Sequence, residues 1–147
     1  MNKASKLNLF GINFIDANYK YIKSLLDKGG LLVLPSGPGL STITTDAKYH
    51  DSLKNADIAL FDSGYLCLLL KILKGVKVKK FSGLKFLNKF LISLGNKNSQ
   101  KLFLINPSLK ESKINIKYLK SKKIIDVNQY IAPIYKKNRI YDSKLVK

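Results

Sequence analysis

Two short segments of this sequence carry groups that could contact or activate a substrate. Residues 62–64 read Asp-Ser-Gly, and residues 35–39 read Pro-Ser-Gly-Pro-Gly. The Asp62 carboxylate could act as a general base if a substrate hydroxyl lay within hydrogen-bond reach. Gly37 and Gly39 would let the backbone approach a ligand closely. Composition alone favours a plainer role for Asp62, as the N-cap of the following helix, and the glycine segment is equally consistent with a tight turn.

The other reactive residue types are sparse and form no metal or nucleophile motif. His50 and Cys67 are the only histidine and the only cysteine, so no second imidazole or thiol stands at ligand spacing, and neither a metal nor another cofactor is expected. Cys67 lies in an apolar run and is predicted to be a core thiol. We expect His50 to be an exposed helical residue and Asp57 to lead into a strand. Neither Ser36 nor Ser63 has the glycine pattern of a nucleophile elbow.

These segments need a scaffold, and the hydrophobic pattern predicts alternating strands and helices. Strands are predicted at 7–12, 31–34, 58–61, 102–105 and 123–127, and helices at 16–28 with Asp16 as N-cap, in the second part of 41–54, and at 65–73, 84–94 and 108–119. Such alternation is typical of α/β layer folds. We predict one α/β domain over residues 1–147, with a mainly parallel sheet and helices on both faces in a Rossmann-like arrangement. Both candidate segments then follow carboxyl ends of strands, where such folds bind ligands.

Charge limits the classes of partner. The chain of 147 residues has 27 basic and 9 acidic residues and a formal net charge of +18. Residues 1–74 hold nine basic and six acidic residues, whereas residues 75–147 hold 18 and three. This basic half favours an anionic membrane face or phosphorylated ligands. Nucleic acid is disfavoured because no recognition-helix, zinc-finger or aromatic RNA-binding motif is present. The sequence contains no apolar run long enough for a spanning helix and no signal-peptide pattern at its N-terminus.

Between residue 9 and about residue 91 the sequence resembles the N-terminal half of the WecG/TagA/CpsF glycosyltransferases. The resemblance rests on 11–14 (Gly-Ile-Asn-Phe), 55–64 (Asn-Ala-Asp-Ile-Ala-Leu-Phe-Asp-Ser-Gly) and 80–84 (Lys-Phe-Ser-Gly-Leu). Beyond that stretch, residues 130–135 (Tyr-Ile-Ala-Pro-Ile-Tyr) look like a further family segment. It implies inverting, metal-independent transfer of a hexose or an N-acetylmannosamine-type sugar. The donor would be a UDP-sugar and the acceptor a polyprenyl-diphosphate-linked sugar, in the synthesis of cell-surface polysaccharide. The implied location is cytoplasmic and peripheral, at the inner face of the cell membrane.

The resemblance also implies roles for single residues. Asp62 falls where the family has the aspartate proposed to deprotonate the acceptor hydroxyl. Lys80 stands where an arginine is common and could pair with a diphosphate, although a solvated lysine is an equal alternative. Ser36 and Leu34 depart from the asparagine and threonine of many members. The substrate-binding positions expected on these grounds are Ser36, Gly37, Gly39, Ser63, Gly64, Lys80, Ser82 and Gly83.

Length is the larger departure from the family. Members continue past the position of Lys147 with a glutamine-glutamate motif of the donor site and a basic membrane-contacting segment, whereas residues 141–147 here look like the first turns of a helix. The resemblance therefore implies a C-terminally truncated member. The alternative is a catalytically incomplete remnant or a module that binds an anionic ligand. The sequence leaves homo-oligomerisation open.

Overall fold

The computed structural model describes residues 4–96, 101–135 and 141–145, and the chain divides into two compact units, Met1–Leu87 and Asn88–Lys147. The first unit contains a four-stranded sheet, and the second contains a two-stranded parallel sheet. Three of the four strands in the larger sheet run parallel, so this sheet is mixed and mostly parallel. The predicted α/β class is confirmed at this level.

The first unit begins with a hairpin where a single strand over 7–12 was predicted. Strand β1 (Ser5–Leu9) pairs antiparallel with β2 (Ile12–Asp16). Phe10 and Gly11 form the turn, with φ of +55° and +77°. The prediction was wrong because the apolar run continues through the turn, and a phenylalanine is not a residue that normally signals positive φ.

Parallel pairing then builds the rest of the larger sheet. Strand β3 is Leu32–Val33 and β4 is Ile58–Leu60, and the strand order is β1-β2-β4-β3. β4 is buried along its whole length and is paired on both sides. Phe14 of β2 stacks on Phe61, which follows β4, with ring centroids 4.7 Å apart. Both rings are almost completely buried and form the centre of the core.

Helices lie between these strands along the chain and also follow β4. They are α1 (Tyr19–Leu26), α2 (Gly37–Ser41), α3 (Ala47–Lys54), α4 (Gly64–Lys74) and α5 (Gly83–Gly95). The predicted helices at 65–73 and 84–94, and the one in the second part of 41–54, are confirmed. α2 is a short helix where a turn was expected. The predicted N-cap at Asp16 was wrong: Asp16 ends β2, and Asn18 caps α1 by accepting the N–H of Tyr21 at 3.0 Å.

The second unit contains β5 (Leu102–Asn106), α6 (Leu109–Ser121) and β6 (Val127–Ile131). β5 and β6 pair in parallel, and Leu91, Leu119 and Ile124 form the core. The strand predicted at 123–127 was placed too early, since Lys123 has a φ of +64° and ends the turn after α6.

A polar cluster joins the end of β6 to residues that follow it. The hydroxyls of Tyr130 and Tyr135 donate to Asp142 Oδ2 at 2.7 and 2.8 Å. Residues 143–145 form a turn; of the predicted helical segment 141–147, positions 146–147 lie outside the described residues, and 141–145 are not helical. In the described ranges, no helix combines the length and apolar character needed to cross a membrane.

Candidate functional site

The candidate base, Asp62, follows the carboxyl end of β4 and is half-buried. Its Oδ1 accepts the N–H of Gly83 at 3.1 Å, across 21 residues of sequence. Its own N–H donates to the carbonyl of Leu60 at 3.0 Å. The carboxylate is therefore oriented by a backbone donor at the first residue of α5. Within the part of the chain that the structure describes, no hydrogen bond engages its second oxygen, which could accept from another partner.

The N-cap of α4 is Ser63, so the cap role favoured for Asp62 from composition was wrong. Ser63 is 7% exposed, and its Oγ accepts the N–H of Leu66 at 3.2 Å. Aspartate and serine are both common N-cap residues, and here they are neighbours in the chain. Ser63 caps the helix, while the Asp62 carboxylate accepts the N–H of Gly83. Asp62 therefore does not cap α4.

Gly37 brings the end of β3 close to the end of β4. A Cβ placed on Gly37 would lie 3.5 Å from Ser63 Oγ. Ser36 occupies the N-cap position of α2, but its exposed side chain makes no capping hydrogen bond. The hydroxyl of Ser36 therefore does not stabilise the start of α2.

Lys80 belongs to an extended segment that runs past the strand ends. The N–H of Lys79 donates to Asp16 Oδ2 at 3.2 Å, and the N–H of Phe81 donates to the carbonyl of Phe61 at 2.7 Å. These two bonds tie the segment to the ends of β2 and β4. A Cβ on Gly64 would lie 3.5 Å from Lys80 Cδ and 3.6 Å from its Nζ. The lysine side chain therefore lies along the backbone at the start of α4.

Ser82 and Gly83 form the amino end of α5. Ser82 Oγ accepts the N–H of Lys85 at 3.4 Å. A Cβ on Gly83 would lie 3.2 Å from Asp62 Oδ2 and 3.3 Å from Leu34 Cδ2. A side chain at position 83 would press on the candidate base and on Leu34 after β3, and these neighbours would have to shift by a few tenths of an ångström.

The structure thus brings together most of the predicted site residues, with one exception. Gly39 points toward α3, where an added Cβ would lie 2.5 Å from the hydroxyl oxygen of Tyr49. Its small size serves packing between α2 and α3, so its predicted substrate contact has no support in this geometry. Asp16 was predicted only as an N-cap, and its bond to the N–H of Lys79 was not foreseen. The available signal was an aspartate at the end of an apolar strand.

Three other residues that the sequence singled out make contacts within the fold. His50 is half-buried, and its Nε2 lies 2.6 Å from the carbonyl oxygen of Phe10, so it is not the exposed residue that was expected. Asp57 leads into β4 as predicted, and its Oδ2 accepts the N–H of Leu31 at 2.7 Å. Cys67 packs against the core, and burial raises the pKa of its thiol. The described ranges contain no cluster of three metal-ligating side chains.

No protein-family model matches the chain, and no curated protein matches it.

Proposed function

We propose that the chain is a Rossmann-like glycosyltransferase of the WecG/TagA/CpsF type. It transfers a hexose or an N-acetylhexosamine from a UDP-sugar to a lipid-diphosphate-linked acceptor. The observation that carries the proposal is the bond from Gly83 N–H to Asp62 Oδ1, because it orients a half-buried carboxylate at the carboxyl end of a parallel strand. That edge of an α/β sheet is where ligands bind in this class of folds.

In the proposed reaction, Asp62 takes the proton of the acceptor hydroxyl. The hydroxyl oxygen forms a bond to the anomeric carbon as the bond from that carbon to the UDP oxygen breaks, and UDP leaves with the electron pair. One carboxylate oxygen already accepts the N–H of Gly83, and the carboxylate keeps further lone pairs for the hydroxyl. Orienting the base before substrate arrives contributes to rate because the reacting groups then need little rearrangement.

The charge that develops on UDP needs cationic or dipolar partners. The Lys80 ammonium lies beside the backbone of Gly64, at the amino end of the 11-residue helix α4. The amino end of a helix carries partial positive charge and favours anions. We assign the diphosphate of the donor to this position, where the lysine acts as a point charge rather than as a bidentate clamp.

The test is UDP release by the 147-residue chain, supplied with UDP-sugars and a lipid-diphosphate-linked amino sugar. Asp62→Asn should lower turnover by about two to four orders of magnitude, the range for a general base. The matched control is Asp51→Asn, because Asp51 is an exposed α3 residue whose carboxylate lies 3.7 Å from the Lys54 ammonium. Near-normal turnover by Asp62→Asn, or an equal loss in Asp51→Asn, would contradict the assignment.

A second candidate function is binding of a phosphorylated ligand without catalysis. The placement of Lys80 along Gly64 favours it, since this feature needs no base. Calorimetric titration with UDP distinguishes the two candidates. If the wild-type chain and Asp62→Asn bind UDP equally and neither releases UDP from a donor in the presence of acceptor, the binding module is the correct function.

A further inference from the structure

Helix α4 carries apolar side chains on the face that points away from the sheet. Tyr65, Leu68 and Ile72 are 70%, 51% and 67% exposed. Their spacing of three and four residues places them on one side of the helix. Leu70, on the inner side, is 5% exposed and packs in the core. α4 is therefore apolar both toward the core and toward the outside, which is unusual for a helix at the surface of a unit.

This outer face continues into a groove beside the β1–β2 hairpin. The groove has a volume of about 280 Å³. One wall comes from the hairpin and the other from α4, with the lining residues Asn8, Leu9, Phe10, Leu66, Leu69, Leu70, Leu73 and Lys74. At its rim Phe10 is 59% and Leu73 is 74% exposed. We call the outer side of α4 together with this rim the α4 face.

Phe10 gives a second, independent indication that the α4 face has a task. Its φ of +55° is a conformation that L-residues adopt at a cost, and asparagine or glycine would adopt it more easily. An exposed phenylalanine at a turn tip gains little from burial within its own unit. The turn nevertheless holds an aromatic ring at the rim of an apolar groove.

The charges around the α4 face identify the occupant. Lys71, Lys74 and Lys77 are exposed on or just after α4. The chain has no acidic residue between Ser63 and Lys110. A second copy of this chain would bring the same lysines against one another, which is unfavourable. A surface that is apolar beneath and negatively charged above complements both features.

We propose that the α4 face docks on an anionic lipid bilayer. α4 lies in the plane of the membrane interface, with Tyr65, Leu68, Ile72 and the Phe10 ring among the acyl chains and the lysines among the headgroups. This docking is independent of the role of Asp62. One consequence does rest on the proposed function: α4 begins two residues after Asp62, so docking would hold the candidate site beside a lipid-linked acceptor.

The position of the bilayer can be measured with single tryptophans, because the chain contains none. Ile72→Trp reports on the α4 face. Leu31→Trp is the matched control, since Leu31 is 51% exposed beside β3, at the sheet edge opposite to β1. Vesicles of phosphatidylcholine with phosphatidylglycerol should shift the Ile72→Trp emission to shorter wavelength and leave that of Leu31→Trp unchanged. No shift at position 72, or equal shifts at both positions, would overturn the proposal.

Vesicle co-sedimentation separates docking from diffuse attraction between the basic chain and the lipid. Ile72→Ser should lower the partition coefficient on the same vesicles on the order of tenfold, whereas Leu31→Ser should not change it. Unchanged binding by Ile72→Ser would mean that charge alone holds the chain, and would overturn the proposal. Sedimentation equilibrium without lipid addresses the other occupant: wild-type self-association that Ile72→Ser abolishes would make the α4 face a contact between copies and overturn lipid docking. UDP release is not needed for either readout, so failure here is distinguishable from failure of the sugar-transfer proposal.

Discussion

Asp62 and Gly83 contact each other in two ways. Oδ1 of the aspartate accepts the glycine N–H at 3.1 Å, and Oδ2 lies 3.2 Å from the position that a Cβ atom would occupy at residue 83. The pair joins the end of β4 to the start of α5. The hydrogen bond orients the carboxylate, and the missing side chain leaves it room. Residue 83 therefore affects the orientation of the candidate base, although it has no side chain that could contact a substrate.

Gly83→Ala should separate activity from stability. The new methyl group must displace the Asp62 carboxylate or Leu34 by a few tenths of an ångström, which we expect to reduce UDP release at least tenfold, since small misplacements of reacting groups are costly. Chemical denaturation should show a change of less than about 1 kcal/mol, because φ at position 83 is not positive and both neighbours are side chains.

Gly75→Ala is the matched control for that experiment. Gly75 ends α4 at the far end from the site, with φ of +63° and open space around it. Alanine there should cost about 1 kcal/mol of unfolding free energy through backbone strain while UDP release is retained. If both variants lost activity in proportion to stability, Gly83 would have only a structural role.

The local pattern of the sequence predicted most helices but not the contacts that define the site. α4, α5 and α6 were found because their apolar spacing and flanking residues are local signals. Ser63 rather than Asp62 caps α4, and Asp62 instead accepts the N–H of Gly83, 21 residues away. The β1–β2 hairpin was missed for a related reason, because Phe10 adopts positive φ without being a typical turn residue.

Ser63→Ala should destabilise the chain by about 0.5–2 kcal/mol, the usual cost of removing an N-cap. Its Oγ accepts the N–H of Leu66, and the side chain is buried, so water cannot readily replace it. Ser36→Ala is the matched control, since Ser36 holds the same position in α2 without a capping bond. Urea denaturation should show almost no change for it. Equal losses in the two variants would contradict the capping assignment.

Gly30→Ala should be more damaging than Gly29→Ala. Both glycines have positive φ, +113° and +91°, so alanine is strained at either, by about 1–3 kcal/mol. At position 30 the new Cβ would also lie 2.8 Å from Asp57 Oδ2, the atom that accepts the Leu31 N–H, whereas at position 29 nothing lies within 4 Å. Thermal denaturation of both variants measures the difference. Equal melting temperatures would show that Asp57 does not constrain this turn.

The Tyr130–Asp142–Tyr135 cluster predicts a pH dependence with two limits. Hydrogen bonding to Asp142 raises the pKa of Tyr130 to about 12 and also raises the pKa of Tyr135, while the same bonds lower the pKa of Asp142. The aspartate stabilises this segment above its ordinary pKa, and this is lost as pH falls through the lowered value. The Tyr130 contribution is complete below the ordinary tyrosine pKa and is lost as pH rises through about 12.

Site-resolved NMR titration of labelled tyrosine rings checks this cluster. Asp142→Asn should return the pKa of Tyr130 and of Tyr135 toward the ordinary value, because the charged acceptor is gone. Asp126→Asn, an exposed aspartate of the same unit, is the matched control and should leave both titrations unchanged. Ordinary titration of Tyr130 in the wild-type chain would contradict the hydrogen bond to Asp142.

Two substitutions at Phe10 separate the cost of its backbone conformation from the use of its ring. Asparagine adopts positive φ more readily than alanine, so Phe10→Asn should be more stable than Phe10→Ala by about 1 kcal/mol in urea denaturation. Both variants remove the aromatic ring from the groove rim, so both should bind phosphatidylcholine–phosphatidylglycerol vesicles more weakly, and to the same extent. Equal stability of the two would mean that the turn is not strained. Vesicle binding at the wild-type level by either variant would mean that the Phe10 ring has no part in docking. Lipid binding would then not explain why this turn holds a phenylalanine at positive φ.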